Sequence, residues 1–205
     1  SDVMMGVQQD YDTARDAVHT TNPNGGIGYK LTPSLDVRDF NRQMARLARE
    51  AADGSGRRVF VAGSIGPTGH FLRPLGELVF SDLVEVYAEQ IRGLVEGGID
   101  LIQIETQIDI AEARPAVVAA RQVCDLPISV SMTYEGGVTL TGSSPELCAA
   151  TLANLGVDII ATNCSAGPEQ LREVAERLVA VSPAPVLVQP NAGLPELVDG
   201  KTVFR

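Results

Sequence analysis

Asp82-Leu-Val-Glu-Val-Tyr-Ala-Glu-Gln-Ile-Arg-Gly-Leu-Val-Glu-Gly-Gly-Ile-Asp-Leu-Ile-Gln-Ile-Glu105 joins a helical pattern directly to a strand pattern. Over Asp82–Glu96, Leu83, Val86, Tyr87, Ile91, Leu94 and Val95 recur at three- and four-residue spacings, the signature of an amphipathic helix, and Gly97-Gly98 closes it. Asp100–Glu105 follows as a short, nearly continuous apolar run, as expected of a strand buried beneath helices.

The same alternation extends on both sides. Further strands are predicted at Arg58–Gly63, Pro127–Thr133, Val157–Thr162 and Pro185–Gln189, with helices at Ile110–Val123, Pro145–Leu155 and Pro168–Val181. Pro145 and Pro168 fall near first-turn positions, where a missing N–H costs nothing, and Gly156 falls at a helix end. After the first strand, the starts recur about every 27 to 30 residues, the size of one βα unit. A parallel α/β sheet follows. Periodicity admits both a doubly wound sheet and a (β/α)8 barrel.

Toward the N-terminus, Asp36–Ala52 reads as a helix with Val37, Phe40, Met44, Leu47 and Ala51 on one face. Val3–Val7 and Ala17–Thr21 read as short strands, joined by a stretch too brief for an ordinary crossover helix, and Thr20–Gly28 reads as loop. The chain, 1–205, is read as a single domain that is shorter than a complete barrel of about 250 residues.

With 16 basic and 26 acidic residues, the formal charge of −10 disfavours nucleic acid and anionic membrane surfaces, and no apolar run reaches the length of a membrane span. Three cysteines without paired spacing point away from a secreted disulfide framework and toward the cytoplasm.

Parallel α/β folds gather chemistry at the carboxyl ends of their strands. Those ends read Gly63-Ser-Ile-Gly-Pro-Thr68, Glu105-Thr106, Met132-Thr-Tyr134, Thr162-Asn-Cys164 and Gln189-Pro-Asn-Ala-Gly193. Together they supply a carboxylate, hydroxyls, amides and a thiol, a set suited to a small polar substrate. Glu105 ends an apolar strand and wants a cationic partner, either a substrate ammonium or an arginine such as Arg58 or Arg114. Cys164 is open to three readings: metal ligand, nucleophile or inert small side chain. Cys124 and Cys148 read as packing residues, and His70 as an exposed loop residue.

Val61-Ala-Gly-Ser-Ile-Gly-Pro-Thr68, Leu94–Thr106, Thr139-Leu-Thr-Gly142, Ala161-Thr-Asn-Cys-Ser-Ala-Gly-Pro168 and Pro190-Asn-Ala-Gly-Leu-Pro195 resemble, in order, the homocysteine S-methyltransferase family, particularly its methionine-synthase side. The resemblance implies a (β/α)8 TIM barrel, here incomplete, with the eighth strand absent and the first two compressed. It implies Cys164 as a Zn2+ thiolate ligand and Glu105 as the group holding the homocysteine ammonium. Ser64, Thr133, Asn163 and Asn191 would share the rim, and Asp2 of Asp2-Val-Met-Met-Gly6 would be a further substrate-binding residue. Thr20-Thr-Asn22 stands where the family carries Glu-Thr-Asn.

The implied activity is zinc-dependent methyl transfer to the homocysteine thiolate, giving methionine. Its partners would be homocysteine, a methyl donor such as methylcobalamin, and a corrinoid or folate domain. Here the chain departs from the family, because two of the usual three cysteine ligands, an adjacent pair in Gly-Gly-Cys-Cys, do not occur in it. The alternative is therefore a degenerate or truncated barrel that binds a small amino acid or acts as a scaffold without zinc catalysis. An aldolase-type enzyme would need a Schiff-base lysine at a strand end, and these strands carry none.

Overall fold

A computed structural model describes residues 5, 17–21, 25–165, 167–191, 195–198 and 201–204. Six strands, β1 (Val18–Thr20), β2 (Phe60–Ile65), β3 (Leu101–Gln107), β4 (Ile128–Met132), β5 (Ile159–Asn163) and β6 (Val186–Gln189), form one sheet in chain order, every pair parallel. Five helices accompany them: α1 (Val37–Gly54), α2 (Phe80–Glu96), α3 (Ile110–Val123), α4 (Pro145–Asn154) and α5 (Pro168–Val181). A doubly wound sheet would reverse its strand order at a switch point. The unbroken order instead gives an incomplete barrel of the TIM type.

The two faces of the sheet differ in chemistry. Val61, Ile65, Ile102, Ile104, Ile128, Val130, Met132 and Ile160 are buried in the hydrophobic core. The alternate positions Ala62, Ser64, Gln103, Glu105, Ser129, Ser131 and Asn163 are small or polar and face the concave side. A cavity of about 420 Å³ opens there, lined in part by Ala62, Gln103, Ser129 and Leu187.

Several strands run later than the sequence predicts. β2 begins two residues after Arg58 and extends through Ser64 to Ile65, and β3 continues past Glu105 to Gln107. Polar residues at strand ends imitate loop residues, Ser64 on the concave side and Gln107 buried beside Met132 after the strand shifts register, which is why the sequence pattern closes these strands early. Of the candidate strand Val3–Val7 only Met5 is described, and it is helical rather than extended.

Two further strands follow β6, beyond the last strand predicted at Pro185–Gln189. β7 (Pro195–Val198) and β8 (Lys201–Phe204) pair antiparallel, with Val198 opposite Lys201, and form their own two-stranded sheet. Asp199-Gly200, the residue pair that tight hairpin turns favour, separates them in the sequence. Among the described residues no eighth barrel strand joins the main sheet, and no helix is long and apolar enough to cross a membrane.

The buried stripe of α1 is Asn41, Ala45, Ala48, Ala51 and Ala52, whereas the larger Val37, Phe40, Met44 and Leu47 are only half-buried. Close approach to α2 explains this correction. A Cβ added at Gly93 would overlap the Arg38 carbonyl, and one at Gly97 would overlap the Ala45 side chain. Gly93→Ala, although it improves helix propensity by about 1 kcal/mol, is therefore expected to destabilise the chain by about 1–3 kcal/mol. Urea denaturation checks this, and a stabilised variant would show that the helices are not in contact.

Candidate functional site

The parallel register brings strand ends to one rim. Ser64 pairs with Gln103, and Gln103 with Ser129, so the ends of β2, β3 and β4 lie side by side. Between Ile104↔Val130 and Gln107↔Met132, β3 advances three residues against two on β4. This bulge at Glu105 and Thr106 re-aims the strand end, a device that recurs next to active sites. Thr106 has φ 60°, and Cys164 and Ser165 have φ 58° and 61°. These are the only non-glycine residues with positive φ among the described residues, and all three lie on the rim. Each such conformation costs roughly 1–2 kcal/mol, and strain of this kind clusters at functional sites.

Glu105 is half-buried, and the Ser64 hydroxyl donates to its Oε1. Burial pushes its carboxyl above the ordinary carboxylate range, and the Ser64 hydrogen bond opposes that shift only in part. Neither arginine suggested as a partner reaches it. Arg58 lies over the Phe60 ring and Arg114 over the Phe80 ring, and among the described residues no cation pairs with Glu105. Ser64 is itself fixed from behind, its N–H donating to Thr21 Oγ1 at 3.0 Å.

Asn163 joins the ends of β3, β4 and β5. Its Oδ1 accepts from Thr106 N–H at 3.2 Å and from the Ser131 hydroxyl at 2.7 Å. Its Nδ2 donates to Thr106 Oγ1 at 2.9 Å and to Cys164 Sγ at 3.3 Å. Thr133 Oγ1 donates to the Asn163 carbonyl at 3.2 Å. Both ends of the Asn163 amide are thus engaged by the protein, which makes it an organiser of the rim. The structure brings Ser64, Glu105, Thr133, Asn163 and Cys164 together. Asn191 lies after β6, half-buried and outside this network, and Asp2 lies outside the described residues. The sequence reading passed over Ser131, which lay within reach of the period-two pattern two residues before Thr133, and it placed Thr106 at a strand end and Thr21 in Thr20-Thr-Asn22 without assigning either a role.

Zinc requires three or four converging donors. Among the described residues no three His, Cys, Asp or Glu side chains come together. Cys148 is fully buried, and burial pushes its thiol up to about 11; Cys124 caps the end of α3. Cys164 is left as a single thiol at the rim, so the described residues do not fit a zinc site. His70 is exposed, its ring centroid 5.5 Å from that of Tyr29.

The homocysteine S-methyltransferase model matches residues 2–204. The chain belongs to that family. Methionine synthase of Mycobacterium tuberculosis is 32% identical over 96% of the chain, and that of Mycobacterium leprae is 34% identical over 78%. The chain spans only 17% and 14% of those two proteins. Among solved structures, the metallated form of the homocysteine methyltransferase MmuM from Escherichia coli superposes with TM-score 0.80 at 20% identity. The match covers 92% of this chain and 72% of that one, and supports the incomplete-barrel fold.

A carboxyl whose folded pKa lies above its unfolded value favours folding below the unfolded pKa, and that contribution is lost as pH rises through the folded pKa. Glu105 follows this sign. Glu105→Gln is expected to melt higher than the parent at neutral pH, with the difference shrinking near pH 4. Thermal melts at the two pH values check this, and an equal or lower melting temperature at neutral pH would contradict it.

Proposed function

We propose that this chain is the homocysteine-binding part of a methyltransferase that makes methionine. One observation carries the reading: Glu105, at a bulged strand end on a strained rim, is drawn out of water with a hydroxyl donor but no cation among the described residues. The ammonium of an α-amino acid supplies that missing charge. Family membership supports homocysteine as that amino acid, which carries the ammonium at one end and the thiol at the other.

In this reading Glu105 holds the ammonium, and Ser64 keeps the carboxylate oriented. Asn163 fixes the rim around them, so that the homocysteine sulfur lies toward the Cys164 side. In the overall reaction a bond forms between that sulfur and a methyl carbon, the bond from the methyl group to its donor breaks, and the thiol proton is lost. The described residues account for binding and orientation. Activation of the sulfur and delivery of the methyl group belong to groups outside them.

Pro190-Asn-Ala-Gly-Leu-Pro195 and the likeness to two methionine synthases support methylcobalamin as donor, presented by a separate domain. The three free cysteines support a reducing, cytoplasmic setting. The single rim thiol favours one second reading, an amino-acid-binding barrel without zinc catalysis.

Calorimetric titration with homocysteine tests the proposal. The parent is expected to bind, and Glu105→Gln to bind at least about tenfold more weakly, as loss of a charge-assisted contact implies. Equal affinity in both proteins would refute the assignment of Glu105.

A further inference from the structure

Two carboxylates at the start of α3, the N-cap Asp109 and the first-turn Glu112, stand apart from the rim residues, and both are buried: Asp109 is 4% exposed and Glu112 1%. Among the described residues neither pairs with a cation. A carboxylate buried in this way is costly unless donors surround it, and here the donors come largely from two rim loops. Glu112 Oε1 accepts from Thr68 N–H at 2.6 Å, from the Thr68 hydroxyl at 2.7 Å and from the Tyr87 hydroxyl at 2.9 Å. Asp109 Oδ1 accepts from the helix N–H of Ala111 and from the Thr141 hydroxyl, each at 3.0 Å.

Thr68 belongs to the loop that follows β2, and its hydroxyl also accepts from His70 N–H at 3.1 Å. Thr141 belongs to the loop that follows β4. That loop is closed by Thr139 N–H donating to the Ser143 carbonyl at 2.9 Å and by Ser143 N–H donating to Thr139 Oγ1 at 3.0 Å. In the sheet, β2 and β4 flank β3. The helix that follows β3 thus holds the loops on both sides of the strand end that carries Glu105.

We propose that the N-cap and first turn of α3 form a bracket in which Asp109 and Glu112 are positioning residues, each fixing one of the two loops that flank the Glu105 strand end. Thr68 and Thr141 are the gripped points. The consequence for ligand affinity rests on the homocysteine reading; the mechanical consequence does not.

The test uses the full chain and four variants: Glu112→Ala, the conservative Glu112→Gln, and the milder Thr68→Ala and Thr141→Ala, which each remove one gripping hydroxyl. Hydrogen exchange read by mass spectrometry should accelerate at least about tenfold over residues 66–70 in Glu112→Ala. A smaller acceleration is expected there in Thr68→Ala. Over residues 139–143 the acceleration should appear in Thr141→Ala. Glu112→Gln, which keeps an oxygen acceptor, should stay within about threefold of the parent. Homocysteine affinity should fall about fivefold or more in Glu112→Ala and recover in Glu112→Gln, a rescue that general destabilisation would not produce.

Unchanged loop exchange in Glu112→Ala and Thr141→Ala overturns the bracket, whether or not homocysteine binds. Failure of Glu112→Ala to fold leaves the two threonine variants to decide in the same way. Loosened loops with unchanged affinity, in a chain whose binding Glu105→Gln weakens, overturn the positioning role and leave the binding site standing. A parent that does not bind homocysteine overturns the functional reading alone, and the exchange data still decide the bracket.

Discussion

Parallel pairing of six strands in chain order is the constraint on which everything else rests. It places every carboxyl end on one edge, so that residues far apart in sequence, such as Ser64, Glu105, Ser131 and Asn163, meet without a dedicated binding domain. It also forces every crossover to carry a helix, because antiparallel turns are excluded between parallel neighbours. The side away from the core keeps small and polar residues, and the bulge in β3 converts its last turn from ladder into site.

The rim retains a charge and a conformational cost that packing alone does not require. A carboxyl raised by burial is a poor structural element, since a glutamine in its place would keep the Ser64 contact without the desolvation penalty. The left-handed Thr106, Cys164 and Ser165 point the same way. Asn163 bears on two of these positions, bonding both the backbone and the hydroxyl of Thr106 as well as the Cys164 sulfur. A ligand that neutralises Glu105 gives these costs a return that the apo fold does not.

Much of this was legible in the sequence. Continuous apolar runs located five of the six strands of the main sheet, and Glu105 and Cys164 emerged as the strand-end groups to examine. What escaped has physical causes. Ser64 imitates a loop residue because the concave face is polar, and Gln107 does so although the β3 bulge turns it to the buried side beside Met132. The alanine stripe of α1 is buried in preference to its larger neighbours because Gly93 and Gly97 of a distant segment let the helices approach, a contact no local pattern encodes. The β7–β8 hairpin carried a readable signal in Asp199-Gly200, masked by its place beside a loop-like Pro-Asn-Ala-Gly stretch. Satisfaction of the Asn163 amide by protein groups is a three-dimensional property that no strand pattern encodes.

On the proposed function, Glu105 is a carboxylate held in readiness for an ammonium ion. Carbon-13 NMR of its side-chain carboxyl, titrated with pH in the absence and presence of homocysteine, tests this most directly. The expected midpoint lies above the free-glutamate range without ligand and falls when homocysteine brings a cation beside the carboxylate. A midpoint that homocysteine leaves in place would contradict it.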